Sequence, residues 1–301
     1  MKLTNKNKVP ARFFKAYKVH QYDGIRNRLE SISVSALLDA PRKRLLTIRH
    51  WEELEEDIND KRNSIIGTAI HEYLRKIDSR TYQTESRKEI EVDGLIVSGQ
   101  ADGYDRTKKT IYDTKTPTDR SFKRTQLKLS WIQQLNCYRA IWVANNLPVD
   151  KLKIDVMLQN HDAHRVGTDN YPESDMFTLN VPVWELKQAE KFIKERVAYH
   201  KKFENTDDDE LPVCTKKERL RSDDIYKIYK NENKKASFVS VDFDLVLKKK
   251  EELESLKKLK DVYRIKHIEA TDHLCLRCNV KKFCNYWKEN YGEQKKASTN
   301  V

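Results

Sequence analysis

The run at residues 98–116, SGQADGYDRTKKTIYDTKT, constrains the fold of this chain more than any other stretch. An apolar-polar segment ends in Gln100-Ala101-Asp102-Gly103, a polar turn follows at 106–109, and Thr-Ile-Tyr-Asp-Thr-Lys-Thr runs back. This is the pattern of a β-hairpin. With the turn centred between Thr107 and Lys108, antiparallel pairing sets Asp102 directly opposite Asp113. Opposed residues share a face, with Cβ atoms about 5 Å apart. Side chains alternate along a strand, so Lys115 joins Asp113 on that face. Two carboxylates and an ammonium thus converge, and carboxylates so close are unfavourable unless a cation lies between them. The plainer reading makes Asp102 a turn residue beside Gly103, with Asp113 and Lys115 solvated.

Helices and strands on both sides of the hairpin suit a larger mixed fold. Residues 1–30 are basic and weakly patterned, an arm or irregular cap. Residues 31–46 read as a serine-capped helix broken by Pro41, and 51–60 as an acidic helical segment. In SIIGTAIHEYLRKI, Ile66, Ile70, Leu74 and Ile77 recur at helical spacing. Gly67 and His71 share a face there, the glycine permitting close approach of another backbone. Residues 88–92, a Val-Asp-Gly turn and 95–99 complete a three-stranded antiparallel meander with the hairpin. Residues 127–145 form an apolar helix carrying Gln134 and Tyr138 one turn apart, with Cys137 as a buried thiol. Residues 151–159 alternate as a further strand. Residues 183–203 form an amphipathic helix with Leu186, Ala189, Ile193 and Val197 on one face. Beyond an acidic loop, 237–247 reads as a strand and 248–265 as a lysine-rich amphipathic helix. The division expected is an arm at 1–30, a core at 31–205 and a helical C-terminal region at 206–301.

Composition narrows the partners. Lys plus Arg total 59 against 47 Asp plus Glu, a net charge of +12 over 301 residues. That excess favours a polyanion such as nucleic acid, though a solvated lysine-rich surface has the same composition. A mean hydropathy of −0.85, with no long apolar run, excludes a transmembrane helix and a membrane partner. The basic N-terminus has no apolar segment of the secretory kind. A cytoplasmic setting is expected, bacterial or that of a host if phage-encoded, and there five cysteines are more often metal ligands or buried thiols than disulfides. Cys275, Cys278 and Cys284 form C-x2-C-x5-C, a turn able to present three thiolates to one centre. A fourth ligand would close a tetrahedral zinc site or hold a four-iron cluster, and spacing does not separate the two. Cys214 is the best candidate, because Cys137 lies mid-helix.

Gly67-x3-His71, Gly99-x2-Asp102, Asp113-x-Lys115 and Gln134-x3-Tyr138 occur in this order on helix, strand, strand and helix. The ordered set resembles the PD-(D/E)XK nuclease superfamily in its RecB-like branch. That branch includes the CRISPR-associated exonucleases and the AddB-type nucleases with iron-sulfur clusters. The motifs cover about residues 31–145, and the cysteines extend the likeness to 284.

The resemblance implies an α/β, restriction-endonuclease-like core, a mixed sheet with an antiparallel meander flanked by helices, plus a cysteine-bound appendage. It implies that His71, Asp102, Asp113 and the Thr114 carbonyl hold Mg2+ or Mn2+. Lys115 would orient the attacking water or offset charge on the scissile phosphate. Gln134 and Tyr138 would position the substrate backbone, and Glu89 is a further acidic candidate. It implies a [4Fe-4S] cluster on Cys214, Cys275, Cys278 and Cys284, with structural Zn2+ as the alternative, bracing the C-terminal tail against the core. Relatives with the cluster commonly place its first cysteine just before a proline-basic segment, where this chain has Ala40. The activity implied is a metal-dependent deoxyribonuclease acting on single strands or ends in recombination, repair or phage DNA processing. Single-stranded DNA is the preferred substrate. With no helicase motif in the chain, unwinding would fall to a helicase or recombination partner. Two other readings are a nucleic-acid-binding protein that keeps the fold without turnover, and a cysteine-rich interaction module.

Overall fold

The computed structural model describes residues 1–19, 29–119, 127–168, 171–256 and 261–292. The chain divides into two compact units, Met1–Pro212 and Val213–Val301.

The first unit holds β1 (Lys2–Thr4), α1 (Ala11–Val19), β2 (Ser31–Ser33), α2 (Val34–Leu38), α3 (Pro41–Arg49), β3 (Glu55–Asp57) and α4 (Arg62–Leu74). It continues with β4 (Tyr82–Val92), β5 (Leu95–Asp105), β6 (Thr110–Lys115), α5 (Leu129–Ala144), β7 (Lys151–Met157), β8 (Met176–Val181) and α6 (Leu186–Lys201). A six-stranded mixed sheet runs β2-β5-β6-β7-β8, with β4 also paired to β5. The expected meander is β4-β5-β6, antiparallel throughout. Its first turn bends at Asp93 and Gly94, both at positive φ (49° and 77°), a conformation that glycine adopts without steric cost. β7 extends the sheet by parallel pairing with β6.

β5 is the organising strand. One edge pairs with β4 along its length, whereas the other meets β2 at 96–98 and β6 at 103–105. Among the described residues, 99–102 have no strand partner on that second edge. Gly99 lies in this gap, where a Cβ would stand 2.7 Å from Cδ1 of Tyr138 on α5. Helix α5 comes this close because no side chain intervenes. Tyr138 is almost fully buried and packed beside Trp142, so it has little room to yield. Gly99→Ala should therefore lose about 1–3 kcal/mol as an overpacked site, read as a lower urea midpoint at unchanged m-value.

The core lies between the sheet and helices α2, α5 and α6. Leu135, Ile141 and Trp142 of α5 are fully buried, as are Val34 and Leu37 of α2 and Val97 of β5. On α6, Ala189, Ile193 and Val197 are buried, as their spacing predicts. His200, at the end of α6, is also fully buried, and its Nε2 donates to the Leu37 carbonyl at 3.1 Å. Burial pushes this imidazole down to about 4, and the charges of Arg196 and Arg44 act in the same direction. The folded state thus holds His200 neutral, while the unfolded chain protonates it near the ordinary value of 6.5. Stability is retained above pH 6.5 and lost as pH falls from 6.5 toward 4, by about 3 kcal/mol in total. Urea titrations across that window should show a shallower pH slope for His200→Gln than for the native chain.

Several local expectations are corrected. The segment 31–46 is a short strand and two helices, not one broken helix. The Ser33 hydroxyl accepts from the Ala36 N–H at 3.2 Å, and Pro41 begins α3, where its missing N–H costs nothing. Residues 51–60 are 3-10 turns around β3 rather than a helix, and β3 pairs in parallel with β1, so the N-terminal segment is in part a strand. Helix α4 forms as expected but has no buried residue, and a Cβ on Gly67 would meet nothing within 4 Å, so no backbone approaches there.

The second unit contains β9 (Ile225–Lys230), β10 (Phe238–Ser240), α7 (Phe243–Ser255), β11 (Tyr263–Ile268), α8 (His273–Leu276) and α9 (Asn285–Tyr291). Its three strands form an antiparallel sheet ordered β10-β9-β11, so the region is not simply helical. The expected helix at 248–265 is instead the end of α7 and most of β11. Residues 257–260 of that expectation lie outside the described residues, as do 20–28 of the expected arm. No helix among the described residues is long and apolar enough to cross a membrane.

Candidate active site and cysteine centre

Two hairpins bring three acids together. The β5–β6 ladder pairs Asp105 with Thr110, Tyr104 with Ile111 and Gly103 with Tyr112. Continued by one step, that register sets Asp102 against Asp113. The β4–β5 ladder pairs Thr84 with Gly103 and Ser86 with Ala101, which leaves Glu85 opposite Asp102. Glu85, Asp102 and Asp113 therefore form a row across three adjacent strands. Glu85 interrupts its ladder and sits at φ 50°, a sparsely populated conformation for a residue with a Cβ. Strain of this kind concentrates at functional sites.

Helix α4 supplies His71 to the row. Its Nδ1 is 2.7 Å from Oε1 of Glu85 and 3.7 Å from Oδ1 of Asp102. One ligand atom each from His71, Glu85 and Asp102 falls within 4.8 Å of the others. The other Glu85 oxygen accepts from Gln100 Nε2 at 2.6 Å, and Asp102 Oδ2 accepts from the Thr114 N–H at 2.6 Å. Asp113 is almost fully buried, and its Oδ2 lies 2.8 Å from Nζ of Lys115. That ammonium is off the hydrogen-bond direction, so the buried oxygen has an ion-pair contact but no hydrogen bond. Lys115 Nζ also donates to Gln134 Oε1 at 3.2 Å, and Gln134 Nε2 donates to the Tyr138 hydroxyl at 2.8 Å.

The electrostatics follow from burial and crowding. Burial, then the facing Asp113, push Asp102 up to about 7, against the opposing pull of His71 and the Thr114 N–H. The hydrogen bond to Glu85 raises His71 despite its partial burial. Burial alone would raise Glu85, but hydrogen bonds from His71 and Gln100 outweigh it and the net shift is downward. An acid pair that resists double ionisation and a buried oxygen without a hydrogen bond are what a divalent cation would relieve. Carboxylate oxygens with one imidazole suit Mg2+ or Mn2+.

The expected residues are thus gathered, with two differences. Thr114 contributes its N–H to Asp102. Glu89 is exposed and pairs with Ser98, four residues along β4 from the row, or about 13 Å. Glu85 is the acid in place, and the Asp93-Gly94 turn carried the signal for it. Counting outward from that turn sets Glu85 across from Asp102, but β4 had been expected to start only at residue 88.

The cysteines fall into two groups. Cys137 is fully buried in α5, and burial pushes its thiol up to about 12. Cys214, Cys275, Cys278 and Cys284 all belong to the second unit and are partly buried free thiols. Burial is the main cause that pushes Cys214 up to about 12, followed by Glu218 and then by Cys284, Cys278 and Cys275. Burial, then Asp272, Cys278 and Cys284 act on Cys275, which rises to about 11. The four sulfurs thus lie within electrostatic reach of one another. Such thiols gain from a cation that accepts them as thiolates. Around them, fully buried Asp272 accepts from Arg219 Nε (3.1 Å) and from the Tyr286 and Tyr291 hydroxyls (2.7 and 2.9 Å). Arg219 also reaches the Cys214 carbonyl. These bonds join the Cys214 segment to the C-terminal one without any metal.

No protein-family model matches the chain, and no curated protein matches it in sequence. Among solved structures it is similar to the crystal structure of SSO0001, with 19% identity over 66% of this chain and 88% of that one, at a TM-score of 0.43. It is similar to a provisionally assigned exonuclease of Eubacterium rectale, with 14% identity over 68% and 88% and a TM-score of 0.38. A phage-related exonuclease of Haemophilus somnus 129PT gives 16% identity over 67% and 82%, with a TM-score of 0.27. Likeness at this level speaks to neither substrate nor site.

Proposed function

We propose that this protein is a metal-dependent nuclease that hydrolyses phosphodiester bonds in DNA, with single strands or ends as its preferred substrate. The observation that carries this reading is the strained acid row Glu85-Asp102-Asp113, with His71 at one end and Lys115 against the other. His71, Glu85 and Asp102 would hold Mg2+ or Mn2+, with Asp113 as a further ligand. Bound there, the ion supplies an activated water at neutral pH and positive charge for the phosphoryl oxygen. Lys115 adds a second cation at the reacting centre and holds or delivers a proton at Nζ. The Gln134 amide fixes the Lys115 ammonium, and the buried Tyr138 hydroxyl fixes Gln134 in turn. The net charge of +12 draws a polyanion toward a centre that its own acids would repel.

In the second unit, Cys214, Cys275, Cys278 and Cys284 would hold a [4Fe-4S] cluster or, alternatively, Zn2+. The group would brace that unit internally, since all four ligands lie in it.

The test is digestion of end-labelled linear and circular DNA, single- and double-stranded, and of RNA, with Mg2+, with Mn2+ and with chelator. The expected result is metal-dependent cleavage of linear single-stranded DNA with circles spared. Absence of metal-dependent cleavage of any substrate would overturn the reading, and binding without turnover would identify an inactive nucleic-acid-binding protein.

A further inference from the structure

Beside the acid row lies a cavity of about 310 Å3 bordered by β4, β5, α5 and the start of α2. Its polar lining is Arg87, Gln100 and the hydroxyls of Ser33, Ser35 and Ser98, and Val34 and Tyr138 form apolar walls. No carboxylate lines it. We infer that this cavity is a phosphate subsite of the same centre, which takes the substrate phosphate flanking the scissile one. The inference deepens the nuclease reading and rests on it.

Placement is the first argument. Arg87 lies two residues beyond Glu85 on β4, about 7 Å along the strand, and pairs with Gln100 as Glu85 faces Asp102. The cation is thus one strand step from the acids. Gln100 joins the two places directly, since its Nε2 donates to Glu85 and its Oε1 accepts from Arg87 NH2 at 2.6 Å. A strand whose scissile phosphate meets the acid row carries its neighbouring phosphate past the guanidinium.

Chemistry is the second. Arg87 is held by neutral partners, Gln100 and the Ser98 hydroxyl (2.9 Å), so its fork is set in orientation without a carboxylate in these contacts. A planar guanidinium fixed this way suits the oxygens of a phosphate. Ser33 Oγ already accepts from Ala36 N–H, so its own proton is directed to another acceptor, and Ser35 is exposed at the rim. Hydroxyl donors around one cation, with no acid among them, select an anion.

The experiment reads binding, so that it does not depend on turnover. Fluorescence anisotropy is measured with short single-stranded oligonucleotides bearing a 5′-phosphate, a 3′-phosphate or hydroxyl ends, in Ca2+ and in EDTA, with inorganic phosphate as competitor. Arg87→Gln should weaken binding about tenfold or more, but it also releases Gln100. Ser35→Asp is therefore the decisive variant: it puts a negative charge at the rim, touches nothing in the acid row, and should weaken binding as much at an unchanged melting midpoint. A wild-type preference for a phosphorylated end that both variants lose assigns the cavity to a terminal phosphate. Equal weakening for every oligonucleotide assigns it to an internal one. Native affinity in both variants, or no binding by the wild-type protein in either buffer, would overturn the subsite. Strong wild-type binding that Ser35→Asp abolishes, without cleavage in Mg2+ or Mn2+, would keep the subsite and reject the nuclease.

Discussion

Lys115→Ala is expected to lose about a thousandfold or more in single-turnover cleavage while single-stranded DNA still binds within a few-fold of the native affinity. The size follows from removing the one side-chain cation that touches the row, in a partly buried site where such charges are worth about a hundred- to a thousandfold each. A second consequence separates this role from a merely structural one. Without Lys115, the nearly buried Asp113 carboxylate loses its ion-pair partner, and an uncompensated buried charge costs about 3–5 kcal/mol at the upper end. The metal-free variant should therefore melt below the native chain, and millimolar Mn2+ should recover most of the difference, because a divalent ion supplies the missing charge. Glu85→Gln should behave in the opposite way. It removes an acid from a crowded row, so the metal-free protein keeps its stability, but Mn2+ affinity falls, measurable by calorimetric titration. Native cleavage rates in Lys115→Ala would remove the proposed mechanism.

Cys278→Ser is expected to abolish the metal content of the second unit and with it much of that unit's order. Structural metal sites contribute folding free energy outright, on the order of 10 kcal/mol in small zinc domains. The second unit has a limited core of its own: Ile228, Val246 and Val280 are its buried apolar residues. Limited proteolysis should open the variant within residues 213–292 while the first unit survives, and anaerobically purified native protein should show the visible absorption of iron-sulfur or one zinc per chain. A colourless native protein free of both metals would reject the centre. The Asp272 network gives this prediction its contrast. Asp272→Asn leaves all four cysteines in place but removes the charge that Arg219 and Arg221 share, at 3.1 and 3.2 Å. It should loosen the same segments without changing the visible spectrum.

Much of the site was legible because strand pairing is arithmetic. A polar turn centred between Thr107 and Lys108 fixes Asp102 against Asp113, and no tertiary contact is needed to set that register. The one-turn spacing of Gln134 and Tyr138 on an apolar helix likewise follows from helix geometry. Glu85 escaped because its strand begins at Tyr82, in a polar run, YQTESRKE, without the alternation that marks a strand. Pairing with β5, not the propensity of those residues, makes it one. The strand expected at 237–247 and the helix at 248–265 failed for a related reason: lysines and leucines in mixed order serve a helix face or an edge strand equally well, and the neighbour decides.

By itself, then, the amino-acid order determined the hairpin register, the main helices of the first unit and the meeting of two aspartates with a lysine, since all of these follow from turns and periodicities only a few residues long. Only the tertiary structure decided that His71 would descend from α4 onto Glu85, that Gly99 would let α5 press against β5, and that Arg87 would line a cavity beside the acids. Those placements join residues far apart in the chain, and packing alone selects among the many arrangements that local geometry allows.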